Sequence, residues 1–399
     1  MSRFIGTVSR GIRTKIIKTG DDLAEIVVNS VMDAVASENI PLHDKDIVGV
    51  TEAVLARAQG NYANTDQIGE DIKKKFGGGH IGLIFPILSR NRFSVCLKGI
   101  AKGAKKITLM LSYPSDEVGN QLLTFDQLDE AGITDYNNTL MTEKEYREKF
   151  GHNYHPFTNV DYVEIYKNLI EAQGAECEII FSNNPLDILK YTNDVLAADI
   201  HTRKRTKKIL KDAGAHVYSI EDVLNEPVGE SGFNKEYGIL GANKATEDSV
   251  KLFPRDTFKF VNDLQARFKE VTGKNIEVLI YGDGAFKDSV GKIWELADPV
   301  VSPGYTKGLD GVPHELKLKY LADNDFKDLR GEELNEAIKD KIKHKLDTNE
   351  THDENERLGT TPRKLTDLIG SLCDLTSGSG DKGTPIILIQ GYFDNLATE

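Results

Sequence analysis

The sequence predicts a chain of mixed helix and strand that carries an α/β domain over residues 85–235. Three observations lead there. Near the C-terminal end, apolar residues at helical spacing give way to glycines and then to a short apolar run. Residues 46–51 are β-branched and alternating, and they run directly into a helical segment. Between residues 85 and 235, strand-like and helical segments take turns, as in repeated βα units.

A chain of 399 residues is long enough for two or three domains with a large core. Its formal net charge of −13 argues against a nucleic-acid surface, because phosphate contacts along a duplex need basic patches. Small anionic substrates remain open, since a metal or a few lysines hold those. Cys96, Cys177 and Cys373 lie far apart in no metal spacing, and an odd count argues against a disulfide framework. The opening residues lack a signal-peptide apolar region, and no run approaches the roughly 18 apolar residues of a spanning helix. A cytoplasmic protein without membrane contact is the expectation.

Taken in order, the first element is a short extended piece at residues 14–17, which includes Ile16 and Ile17. Asp21 or Asp22 can cap the helix that carries Leu23, Ile26, Val27 and Val31. The strand at 46–51 leads into a helix with Glu52, Ala53 and Arg57. Strands are expected at 107–111, 177–181 and 216–220, with helix at 169–173 and 206–213 between them. The polar stretch 117–159 reads as a long excursion; its His152 and His155 fit the spacing of neither a zinc helix nor a zinc knuckle. Arg203, Lys204 and Arg205 follow an acid and a histidine, either as a solvated helix face or as contacts for an anionic substrate.

Further on, Gly273 is a good helix C-cap and residues 276–281 make a buried strand. Asp283 follows between two glycines, either a turn aspartate or a carboxylate placed to hold Mg²⁺ beside phosphates. The charged stretch 323–356 reads as an exposed helix and a loose connection. Leu365, Leu368, Ile369, Leu372 and Leu375 then recur at helical spacing. Gly378, Gly380 and Gly383 follow, interleaved with Ser377, Ser379, Asp381 and Lys382. Backbone amides, hydroxyls and a carboxylate together suit a phosphate or a metal–phosphate pair. A flexible connection is the plainer reading, and the order of residues is not that of a Walker A loop. Residues 386–389, bounded by Pro385 and Gly391, fit a buried strand.

Asp367, Gly378, Gly383, Pro385 and Gly391 match, without a gap, the C-terminal signature of the coenzyme F-420 gamma-glutamyl ligase family, which this chain resembles. The resemblance extends to four other places. Residues 14–22 are similar to its Pro-Leu-Ile and Gly-Asp-Asp-Leu segments, and residues 46–60 to its Gly-Asp-Ile-Val-Val and Ser-Lys-Ala-Glu-Gly elements. Gly238, Ile239 and Asn243 follow its Gly-Ile-Asp-x-Ser-Asn, but Leu240 stands where the family has a metal-binding Asp. Residues 272–284 follow its Thr-Gly-Lys, strand and Thr-Asp-Thr, with Asp283 off by one from the family's Asp. An Arg-rich substrate segment is not recognisable; Lys287, Asp288 and Lys292 are candidates to take its place.

The resemblance covers roughly residues 10–75 and 236–395. It implies an α+β, gamma-glutamyl-ligase-like core from residues 1–84 and 236–399, into which the α/β domain 85–235 is inserted, and an intertwined homodimer. It also implies a GTP- or ATP-dependent reaction assisted by Mg or Mn. A small carboxylate acceptor is phosphorylated to an acyl phosphate, and the amine of glutamate, or another amine, attacks it. Ile16, Ile17, Glu52, Ala53, Arg57, Asn243, Gly378, Gly380 and Gly383 would hold the nucleotide. Asp283 and Asp367 would hold metal, and Arg57 and Lys382 would stabilise developing charge. Because the core lacks a recognisable substrate segment, the inserted domain is expected to overhang the nucleotide site and supply acceptor contacts, with Arg203, Lys204 and Arg205 as the candidates. The loss at Leu240 leaves a second expectation, a nucleotide- or metabolite-binding relative without ligase activity.

Overall fold

The computed structural model describes residues 5–90, 92–155, 159–283, 298–312, 316–347 and 363–398. Its strands, in chain order, are β1 (Val8–Ile12), β2 (Ile47–Thr51), β3 (Tyr62–Asn64), β4 (His80–Ile84), β5 (Lys106–Leu111), β6 (Met141–Thr142), β7 (Glu176–Phe181), β8 (Asp194–Ala197), β9 (His216–Ser219), β10 (Asn243–Thr246), β11 (Ser249–Lys251), β12 (Glu277–Tyr281), β13 (Gly304–Tyr305) and β14 (Ile386–Gln390). With the helices between them they make an α+β protein of three sheets.

The first sheet runs β1-β14-β2-β12-β13. β2 and β12 are parallel, with Ile47 beside Glu277, while β14 lies antiparallel between β1 and β2. Side chains alternate along a strand, so a strand buried on both faces must be apolar at every position. The middle positions of β2, β12 and β14 meet this, with Thr51, Glu277 and Gln390 only at strand ends. Val48, Val50, Val278, Ile280, Ile386 and Leu388 face the helices Leu23–Ser37 and Thr257–Thr272, meeting Val28, Val31, Leu264 and Phe268. Ile47, Leu279, Tyr281, Ile387 and Ile389 face the helix Leu365–Ser377 through Ile369 and Cys373. On that face a Cβ at Gly49 would stand 2.5 Å from Cys373 Sγ, so glycine lets the helix sit close.

Local signals explain the element ends. Asp22 caps its helix by accepting Glu25 N–H at 3.0 Å, while Asp21 accepts Lys18 N–H at 2.8 Å. Gly273 ends the helix Thr257–Thr272 at φ 71°, as expected of a left-handed C-cap. Residues 14–17 depart from expectation: the paired strand is β1, and they follow it as an irregular segment. The excursion 117–159 contains the helices Phe125–Glu130 and Glu143–Phe150, each opened by a threonine capping box.

The second sheet runs β6-β7-β5-β4-β8-β9, parallel except for β6. Numbered by appearance, its parallel strands stand in the order 3-2-1-4-5 of a doubly wound sheet, whose order reverses between β4 and β8. The helix Thr65–Phe76 and β4 already belong to this unit, upstream of residue 85, through Ile68, Ile72, Ile81 and Leu83. A small sheet, β10-β11-β3, joins the chain entering this unit to the chain leaving it. No helix among the described residues is long and apolar enough to cross a membrane.

Candidate functional site

A cleft of about 430 Å³ opens at the edge of the first sheet where β2 and β12 end. Its walls come from four distant segments: Thr14 to Ile17 after β1, Thr51 to Arg57 after β2, Tyr281 to Asp283 after β12, and Asp374 to Pro385 before β14. β14 lies beside β2 and β12 beside its other edge, so three strand ends deliver these segments to one place. Thr14 N–H also reaches Gly383 O at 3.3 Å, tying the first wall to the last.

The floor is acidic. Glu52, the first residue of the helix Glu52–Ala58, is buried; Thr51 Oγ1 donates to its Oε2 at 3.0 Å and Lys251 Nζ lies 3.7 Å from its Oε1. Burial, more than any neighbour, holds the Glu52 carboxyl above its usual range. Asp283 also sits above the usual range, first from burial and then from the charge of Asp298. Its N–H donates to Asp298 Oδ2 at 2.7 Å, and Arg92 Nη2 donates to its Oδ2. Arg92 Nη1 donates to Asp298 Oδ1 at 2.7 Å, so one guanidinium bridges both acids. A Cβ at Gly282 would lie 2.3 Å from Asp298 Oδ2; only glycine admits that carboxylate.

The rim is glycine-rich and more basic. The helix Leu365–Ser377 ends at Gly378 with φ 60°, a short turn Gly380–Lys382 follows, and Gly383 has φ 66°. Lys382 folds back over Gly378, where a Cβ would stand 2.5 Å from its Nζ. Ile16 is 75% exposed at the cleft edge. Arg57 is exposed at the end of its helix and faces the same space.

Of the residues singled out in the sequence, the cleft gathers Ile16, Ile17, Glu52, Ala53, Arg57, Asp283, Gly378, Gly380 and Gly383. Others lie elsewhere. Asp367 is exposed in the first turn of its helix, and Asp374 takes the cleft position. Seven residues apart, the two acids share a helix face but are separated by about 10 Å along the axis. Lys382 lines a neighbouring groove with Arg10, Arg13 and Lys15. Asn243 is on β10 opposite Lys251, behind Glu52 rather than in the cleft. Arg203 is held by Glu221 and the carbonyl of Ile200, and Lys204 and Arg205 are exposed on their helix. Leu240 is buried against Ile87, Phe93, Cys96 and Ile200. The small cavity at Leu240 is lined mostly by hydrocarbon, with Arg92 as its charged member, and a leucine cannot ligate a metal, so the family's metal ligand has no counterpart at this position. Lys287, Asp288 and Lys292 fall outside the described residues.

Sequence reasoning missed Asp298, Asp374 and Arg92. Asp374 had a signal, since it is the last acid of the helix that leads into the glycine loop. Arg92 had none, because 191 residues separate it from Asp283. His152 and Asp161, with Glu164, form the described residues' one set of three ligating atoms within 4.8 Å. Arg147 already neutralises Asp161, at 2.6 and 3.1 Å.

Glu52, Asp283 and Asp374 line the cleft with Asp298 bonded to Asp283 N–H, and two half-buried cations meet them: Arg92 at Asp283 and Asp298, Lys251 at Glu52. Such carboxylates fit a divalent ion, which beside phosphates needs only one or two from the protein. Glycine turns and an exposed arginine on the rim complete an arrangement suited to an anionic, cation-bound ligand. Such a cleft, on a mixed sheet beside a doubly wound one, belongs to an α+β chain. The chain belongs to the F420-0:Gamma-glutamyl ligase family, whose model matches residues 11–391. A comparison with curated proteins finds no significant match.

Proposed function

We propose that this ligase joins an amine, glutamate in the first instance, to a small carboxylate acceptor through an acyl phosphate, at the expense of GTP or ATP. The observation that supports it is the convergence of the glycine loop, Arg57 and the Glu52–Asp283–Asp374 acids on one cleft. A carboxylate oxygen is a poor leaving group, so phosphorylation precedes amide formation. The acceptor oxygen attacks the terminal phosphorus and the bond to the nucleoside diphosphate breaks. The amine nitrogen then attacks the acyl carbon, phosphate leaves with that oxygen, and the nitrogen gives up a proton.

In this reading the amides around Gly378 to Gly383 bind phosphate oxygens, and Arg57 forks onto them with a charge-assisted contact. Asp283 with Glu52 or Asp374 would hold Mg or Mn, one or two protein carboxylates being enough beside phosphates, and the ion would neutralise the crowded phosphates and polarise the transferred group. Ile16 offers a ring platform for the base. A homodimer and a cytoplasmic location follow from the same reading.

The test is isotopic. With an ¹⁸O-labelled acceptor carboxylate, glutamate, Mn²⁺ and GTP or ATP, one ¹⁸O is expected in the released phosphate. Amide formation without that label overturns the acyl phosphate. Nucleotide binding without turnover over a range of acids and amines supports the binding relative instead.

A further inference from the structure

Arg92 sits in the connection between β4 and the helix Phe93–Lys102, at the reversal point of the second sheet. That connection is held firmly from behind. Leu88 N–H donates to Asp116 at 2.8 Å, Ser89 N–H to Tyr166 Oη at 2.8 Å, and Arg92 N–H to Ser89 Oγ at 3.1 Å. From this anchored base the guanidinium crosses to the first sheet and meets two carboxylates there. Asp298, with 1% of its side chain exposed, holds one end, and Asp283, with 34% exposed, holds the other at the cleft wall.

Resting on the reading that the cleft takes a divalent cation, we propose that Arg92 is a placeholder for that cation. It supplies the counter-charge at Asp283 and yields that carboxylate when the ion arrives, keeping its grip on Asp298. The electrostatics require a choice, because a guanidinium and a divalent ion on one carboxylate repel each other strongly where water is scarce. The two contacts of Arg92 are unequal in the right sense. The buried one stays, and the half-open one faces the space an ion would enter. Cation loading is thereby tied to the contact between the two units, and the released Nη2 donor turns toward the cleft. Arg92 is a positioning residue in this scheme, acting through Asp283.

Mn²⁺ titration of the whole chain without nucleotide, read by the spectrum of free Mn²⁺, tests this. Because Arg92→Gln alone leaves Asp298 buried and unpaired, the informative pair is Asp298→Asn against Arg92→Gln/Asp298→Asn. Removal of a competitor should tighten Mn²⁺ binding about fivefold or more, within the usual range of coupling between sites. Arg92→Lys, which keeps a charge, should bind Mn²⁺ like the wild type. If Arg92 only props up Asp283, the double variant binds more weakly than Asp298→Asn; weaker or equal binding overturns the inference. Asp283→Asn separates this from the reading beneath it. Should Asp283→Asn bind Mn²⁺ as well as wild type does, or should wild type bind none, the cation site itself is wrong and Arg92 falls with it. Loss of binding in Asp283→Asn without tightening in the double variant removes Arg92 alone.

Discussion

Gly282→Ala is the most direct probe of the acid pair. The new methyl would stand 2.3 Å from Asp298 Oδ2 and 3.3 Å from its Cγ. The backbone has little room to yield, because Gly282 N–H is bonded to Val301 O at 2.8 Å. Asp298 must therefore withdraw by about 1 Å to regain ordinary packing distance. The oxygen it withdraws is the one that accepts Asp283 N–H. Overpacking in a tight interior costs about 1–3 kcal/mol. Loss of a hydrogen bond to a charged group costs about 1.5–3 kcal/mol. The two overlap, since the same movement relieves one and breaks the other, so the net is about 2–4 kcal/mol. At about 2–4 °C per kcal/mol, the transition of the first sheet's unit should fall by roughly 4–16 °C in calorimetry. Gly380→Ala is the control, with nothing within 4 Å of its added methyl and no left-handed backbone. It should stay within about 0.5 kcal/mol of wild type. Equal transitions for the two variants would refute the close-approach argument.

Other outcomes are expected from the same geometry. The raised Glu52 and Asp283 make the folded chain bind more protons than the unfolded one above the ordinary carboxylate range, so their contribution to stability falls as pH rises toward neutrality. Asp283→Asn should flatten that part of a melting-versus-pH curve, and Mn²⁺ should stabilise wild type more at pH 7.5 than at pH 5; an unchanged slope removes Asp283 from the account. Arg57→Ala should weaken nucleotide binding by about 1.5–3 kcal/mol, measured by calorimetric titration, with little change in melting. Gly49→Ala should destabilise the first sheet through its 2.5 Å approach to Cys373 Sγ. Gly49→Ala/Cys373→Ala should recover part of that loss in denaturant titration, and purely additive effects would exclude the contact.

Local pattern carried more of the site than distance in sequence would suggest. The apolar run of β14, the glycines of the loop and the acid at the end of β12 are each marked by composition within a few residues. They meet because each ends or precedes a strand of one sheet. What local pattern lacks is partnership. β1 is fixed by its pairing with β14 across most of the chain, so residues 14–17 looked as extended as the true strand did. Arg92 reads as an ordinary loop cation until the doubly wound sheet turns it toward Asp283. Asp367 and Asp374 share a periodic face, and only their distance from the glycine loop tells them apart.

The place of β14 bears on how the chain comes together as it is made. All strands of the second sheet lie within residues 80–219, so that unit can assemble while the ribosome is still at work. The first sheet cannot close so early. β1 and β2 are synthesised among the first 51 residues, yet the strand that joins them is residues 386–390. Through most of synthesis their facing edges stay unsatisfied, an invitation to pair with a neighbour. The cleft shares that schedule: its four walls become one site only when the last strand is laid between the first two, so a nascent chain holds no half-built, half-active ligase.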